Sequence, residues 1–156
     1  MLRQIQQTNR KENEVKAYIA IKYYEDFRNK YEIEMISSVL QQLGFDTCCI
    51  ARDFENWGNV TFNAKKLMDI TFQELGRCDL IILDLSEKGV GLGIEAGYAF
   101  AIGKPVITIA RTGSDISKTL RGISTRVIFY DNAHDIYAKL TGIKEAVYSL
   151  KNNRKI

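Results

Sequence analysis

The chain has 156 residues, 46% of them apolar, with three cysteines, one histidine and one proline, enough to bury a continuous core without disulfides or metal. No run approaches the roughly eighteen apolar residues of a membrane span, and the N-terminus lacks the apolar core of a signal peptide, so a cytoplasmic protein with no membrane partner is expected. The net charge of +3 sits at the ends: residues 1–16 hold four basic and two acidic side chains and residues 151–156 three basic ones, leaving the body at about −2, which sets aside the gathered basic face of a nucleic-acid-polymer binder.

Residues 1–14 show no apolar periodicity and are expected to be a flexible tail. Residues 15–23, VKAYIAIKY, are β-rich and partly alternating, a first strand ending in Lys22, Tyr23 and Tyr24. Residues 25–43 read as a helix with an apolar stripe that includes Phe27, Ile33, Ile36, Val39, Leu40 and Leu43, stopped by Gly44. A second strand covers residues 45–51. Its Cys48 and Cys49 point to opposite faces and Cys78 stands alone, so no metal site is read from the cysteines. The polar stretch RDFENWGNVTFNA, about a dozen residues, is longer than the usual connection and suggests a functional loop.

Residues 65–76 form the next helix and 79–85 a third, apolar strand. A glycine-rich turn (86–93), a small-residue helix (94–102), a Gly103 stop and a fourth strand (106–110) complete a βαβ unit. RTGSDISKTLRG is a loop with a short helical piece, 125–130 a fifth strand, 134–151 a closing amphipathic helix and 152–156 a basic tail. Strands alternating with helices predict one α/β domain over 15–151: a doubly wound, parallel five-stranded sheet of flavodoxin-like or Rossmann-like kind, ordered 2-1-3-4-5.

In such a sheet ligands sit beyond the carboxyl ends of the strands. Glu95 falls there, in the first turn of its predicted helix, where the dipole favours an ionised acid. Gly89, Gly91 and Gly93 let the backbone pass close to a ligand, and Ser86 opens the turn. An ionised carboxylate beside open space is a potential nucleophile, although acids in a helix's first turn are common without any such role. No GxGxxG fingerprint is present, no cofactor is expected, and a single histidine, His134, at a helix start excludes Ser-His-Asp and Cys-His machinery.

The segment GVGLGIEAGYAFAIGKPV, followed by ITIARTGSDISKTLRGIS, resembles the nucleoside 2-deoxyribosyltransferase family and its relatives that hydrolyse nucleotide N-glycosidic bonds, with a likeness running from residue 17 to about residue 130. In that family the glutamate of the G-x-E-x-G-Y-A segment attacks the anomeric carbon. The resemblance therefore implies a ribosyl ester on Glu95, completed by water in a hydrolase or by a second base in a transferase. It also implies a small-molecule nucleoside or 5′-monophosphate as substrate and a homodimer or higher homo-oligomer, for which the small-residue helix allows close packing. Tyr18 aligns loosely with a tyrosine that supports the nucleophile, though a strand tyrosine is more often core.

The chain departs from the family at the general acid. The family's aspartate falls on Thr71, with Asp69 two residues earlier and turned by roughly 200° on the helix. Asp84, ending the third strand, either orients substrate or caps the following turn. Ser114 and Ser117, at a loop-to-helix start, can hold a phosphate or simply cap the helix. The family's monophosphate enzymes use a serine that Ser117 matches, and Lys22 can add charge, which leans toward a 5′-phosphorylated substrate. Trp57 and Phe54 can stack on a base with Arg52, Asp53 or Asn56 at its edge, or plug the loop. Two other readings stand beside glycosidic chemistry: a nucleotide sensor without turnover, and NAD cleavage of the kind TIR-like domains perform.

Overall fold

The structure, a computed structural model, describes residues 14–153. Most of the expected N-terminal tail and the last three residues of the C-terminal one lie outside that range. Five strands, β1 (Val15–Ala20), β2 (Phe45–Cys48), β3 (Leu80–Asp84), β4 (Val106–Arg111) and β5 (Arg126–Tyr130), form one all-parallel sheet in the order β2-β1-β3-β4-β5, as the alternation of elements predicts. Helices α1 (Lys30–Gln42), α2 (Ile50–Asp53), α3 (Ala64–Arg77), α4 (Val90–Ala101), α5 (Lys118–Ile123), α6 (Ala133–Leu140) and α7 (Ile143–Asn153) complete it. A parallel strand covered on both faces reads as an unbroken apolar run, and β3, LIILD, is buried at every position.

Strand parity divides the core. Val15, Ala17 and Ile19 of β1, with Leu80 and Ile82 of β3, pack with residues of α1, α6 and α7 on one face. Tyr18 and Ala20, with Ile81 and Leu83, pack with residues of α3 and α4 on the other. Cys48 and Cys49 part to opposite faces in the same way, and Cys78 joins Cys48 rather than standing alone. Each large aliphatic side chain enclosed between sheet and helix contributes about 1.5–3 kcal/mol.

Five boundaries differ from the sequence reading. β1 ends at Ala20, and α1 starts at Lys30 rather than residue 25. Between them Phe27 takes φ 50, which no helix accommodates, and Asn29 Nδ2 holds the Lys22 carbonyl at 2.8 Å. The stretch after Cys48 turns at once into the single-turn α2. α4 begins at Val90, not residue 94, because burying Leu92, Ala96 and Ala99 outweighs the poor helix propensity of Gly91 and Gly93. The closing helix is two helices, α6 and α7, broken at Gly142 with φ +86.

Candidate active site

The carboxyl end of β1 is flanked by β2 and β3, so the connection after β2 and the helix after β3 rise on either side of it. Between them lies a cavity of about 350 Å³. Its floor is β1, including Tyr18. One wall is α4, with Gly89, Gly91 and Glu95; the other is the segment after β2 and α3, with Ile50, Glu55, Leu67, Met68 and Thr71. The chain between β1 and α1 closes the front with Lys22, Tyr23, Tyr24 and Phe27.

Glu95 sits in the second turn of α4, with no acid in the first, so the dipole reading made from sequence does not apply. Its side chain is half-buried at the cavity wall, and desolvation there pushes its pKa up to about 7 from the usual 4.5. The opposing influence is Tyr18, whose hydroxyl donates to Glu95 Oε1 at 2.9 Å and favours the ionised form. Burial, and then the neighbouring Glu95, hold the Tyr18 phenol well above its ordinary range, so it stays a donor. Parity explains the pairing: Tyr18 lies on the face of β1 that α4 covers. The result is a carboxylate poised between its two protonation states near neutral pH, with its position fixed by a buried hydroxyl.

Among the described residues lining this cavity, Lys22 is the one cation. Its Nζ lies 3.4 Å from Glu87 Oε2, and Glu87 also accepts from the Tyr24 hydroxyl. Those two hydrogen bonds, Tyr24's foremost, hold the Glu87 carboxyl below its usual range.

No protein-family model matches the chain, and no curated protein sequence matches it. Solved structures do. A CMP N-glycosidase from Clostridium botulinum, BcmB, is similar at 21% identity over 80% of this chain and 97% of that one, with a TM-score of 0.57. A 2-deoxyribosyltransferase from the psychrotolerant bacterium Bacillus psychrosaccharolyticus is similar at 18% identity over 79% and 90%, with a TM-score of 0.59. A conserved protein from Enterococcus faecalis V583 gives 17% over 80% and 96%, at 0.58. The chain shares the fold of these proteins.

Within this fold, the cavity gathers six of the residues named above as candidates: Glu95, Tyr18, Lys22, Tyr23, Gly89 and Gly91. The others lie elsewhere. Asp84 shares the parity of Leu80 and Ile82 and so faces away from α4; it accepts from Tyr130 Oη and from its own turn at Ser86 N, each at 2.7 Å, which is the capping role. Ser86 accepts from Arg111 N at 2.9 Å and lines a small adjoining hollow with Asp84. Asp69 is exposed and paired with Lys65 at 2.7 Å.

Arg52 turns toward α1, where its guanidinium meets Ser37 Oγ at 2.6 Å, the Thr47 carbonyl at 3.1 Å and Asp53 at 2.7 Å. Trp57 is a plug: it packs against the core, edge-on to Phe27, with Lys30 Nζ 4.8 Å from its ring. Ser117 caps α5 by accepting from Leu120 N, and with Gly93 lines a separate small hollow. Ser114 lies in the Arg111 turn and does not reach the cavity. Thr71, the position on which the family's aspartate falls, lines the cavity wall, whereas Glu55, Met68 and Phe27 carry no site reading in the sequence. For Phe27 and Tyr24 the signal was available, since both follow the carboxyl end of β1.

Proposed function

We propose that the chain cleaves, or transfers at, the N-glycosidic bond of a nucleoside, with Glu95 as nucleophile. The observation that carries this is the half-buried Glu95 carboxyl lining the cavity, oriented by Tyr18 at the carboxyl end of the sheet; the fold shared with a CMP N-glycosidase and a 2-deoxyribosyltransferase supports it. The ionised Glu95 attacks C1′, the C1′–N bond breaks with its electron pair leaving on the base, and the sugar is held as an ester. Water, or a second base, then displaces Glu95 and restores the carboxylate. Tyr18 holds the attacking oxygen in line and supports its ionised form.

The substrate we favour is the unphosphorylated nucleoside. A 5′-phosphate would enter a cavity whose one cation among the described lining residues, Lys22, is already engaged by Glu87, while Ser114 and Ser117 of the same chain stand outside it. This reverses the lean toward a monophosphate made from sequence. The exposed apolar residues of α4, Val90 at 85%, Ile94 at 47% and Phe100 at 55%, suit a second copy of the chain, as the resemblance implies. The test is incubation of wild type and Glu95→Ala with ribo- and deoxyribonucleosides, their monophosphates and NAD, with and without an acceptor base. Base release from nucleosides, lost at least a hundredfold in the variant, supports the reading. Binding without release favours a sensor, and release from monophosphates or NAD alone overturns the substrate assignment.

A further inference from the structure

Departure of a nucleobase leaves an electron pair on a ring nitrogen, and a neutral base departs far more readily if that nitrogen is protonated as the bond breaks. The cavity wall offers few donors. Tyr18 is occupied by Glu95. Tyr24 and Lys22 are both engaged by Glu87. The Cys49 thiol is pushed up to about 11, chiefly by burial, and Tyr23 is 57% exposed at the rim. Thr71 cannot give up a proton at neutral pH. One acid remains: Glu55.

Resting on the glycosidic reading above, we propose that Glu55 is the proton donor to the leaving base. It belongs to the wall opposite Glu95: β2 and β3 lie on either side of β1, roughly 10 Å apart across two strand spacings, so the connection after β2 confronts α4 over the carboxyl end of β1. A sugar held at Glu95 projects its base into that gap, toward Glu55. Among the described residues the Glu55 carboxyl has no hydrogen-bond or ion-pair partner. Partial burial is the cause of its raised pKa, which keeps the proton on it longer than on an exposed glutamate.

The backbone fixes its position. Asn56, Trp57 and Gly58 follow Glu55 with φ 45, 54 and 87, three left-handed residues in a row, two of them strained. The loop is closed by Glu55 N to Ile50 O at 3.0 Å, Trp57 N to Ala51 O at 2.8 Å and Val60 N to Glu55 O at 2.9 Å. Trp57, wedged against Phe27, locks it to the front of the cavity.

The step balances as follows. Glu55 gives its proton to the base nitrogen as Glu95 bonds to C1′ and the C1′–N bond breaks, leaving neutral base, sugar ester and Glu55 carboxylate. That carboxylate takes a proton from the incoming water, which displaces Glu95, and both residues return to their starting states.

The experiment is a leaving-group series: nucleosides of one sugar whose bases span a range of ring-nitrogen acidity, compared in wild type, Glu55→Gln and Glu55→Asp, with thermal melting as the folding control. Wild type is expected to respond weakly to the leaving base. Glu55→Gln is expected to lose about 100-fold or more in kcat/KM on the least acidic base and only a fewfold on the most acidic, while Glu55→Asp, which keeps a proton, stays near the wild-type slope. A uniform loss across the series, or no loss, in a protein whose wild type releases base overturns the role of Glu55 alone. No release by wild type from any member overturns the glycosidic reading, and this inference with it.

Discussion

Tyr18 Oη and Glu95 Oε1 are 2.9 Å apart across 77 positions of sequence, one on the floor strand and one on the helix that covers it. The hydroxyl acts against the burial that drives Glu95 toward its neutral form. Removing it in Tyr18→Phe is therefore expected to raise the Glu95 pKa above about 7 and lower the ionised fraction. The rising limb of kcat/KM against pH moves to higher pH, with a loss on the order of tenfold at pH 7 that narrows toward high pH. A limb that stays in place would show that Tyr18 does not govern that ionisation.

The same burial gives a stability prediction. Glu95 is held up at about 7 from 4.5 in the folded chain, so its favourable contribution is full at pH values below 4.5 and is lost as pH rises through 7. Glu95→Gln, neutral throughout, is expected to match wild type near pH 4 and to exceed it by roughly 3 kcal/mol above pH 8. Denaturant melts at the two pH values check this. Equal stabilities at both would mean that the carboxyl is hydrated.

Gly58 combines φ +87 with a close approach: a Cβ there would meet Phe27 Cε2 at 2.7 Å. Gly58→Ala is expected to cost about 1–3 kcal/mol and to displace Phe27 from the cavity front. Stability falls and KM rises together. A variant as stable as wild type contradicts the described loop.

Asp84 is the structural acid. Asp84→Ala leaves the buried Tyr130 hydroxyl without its acceptor and is expected to cost about 1–3 kcal/mol, while turnover per folded molecule stays within a fewfold of wild type. A hundredfold loss of turnover in folded protein would place Asp84 back among the catalytic groups.

Much of the fold is legible in the sequence because burial leaves a periodic trace: the unbroken β3 run, the helix spacing and the Gly44 and Gly103 stops give the alternation of elements, and the crossover rule prunes the topologies to the doubly wound order observed. The start of α4 is not legible, because glycines that read as turn are carried inside a helix by the burial of Leu92, Ala96 and Ala99. At the site, the place of Glu95 follows from topology; strand parity supports the pairing of Tyr18 with it that the resemblance implies, and decides for the capping reading of Asp84. Glu55 could not. Its place depends on three left-handed residues and on Trp57 packing against Phe27, a tertiary contact with no local signature.

A covalent bond from Glu95 to the sugar can be captured directly. A 2′-fluorinated nucleoside, whose electron-poor sugar slows release of the ester more than its formation, should trap the intermediate. Intact and peptide mass spectrometry is predicted to find one fluoro-sugar on the peptide carrying Glu95, absent in Glu95→Ala. Base release by wild type without any adduct, or with the adduct on another residue, would contradict the account.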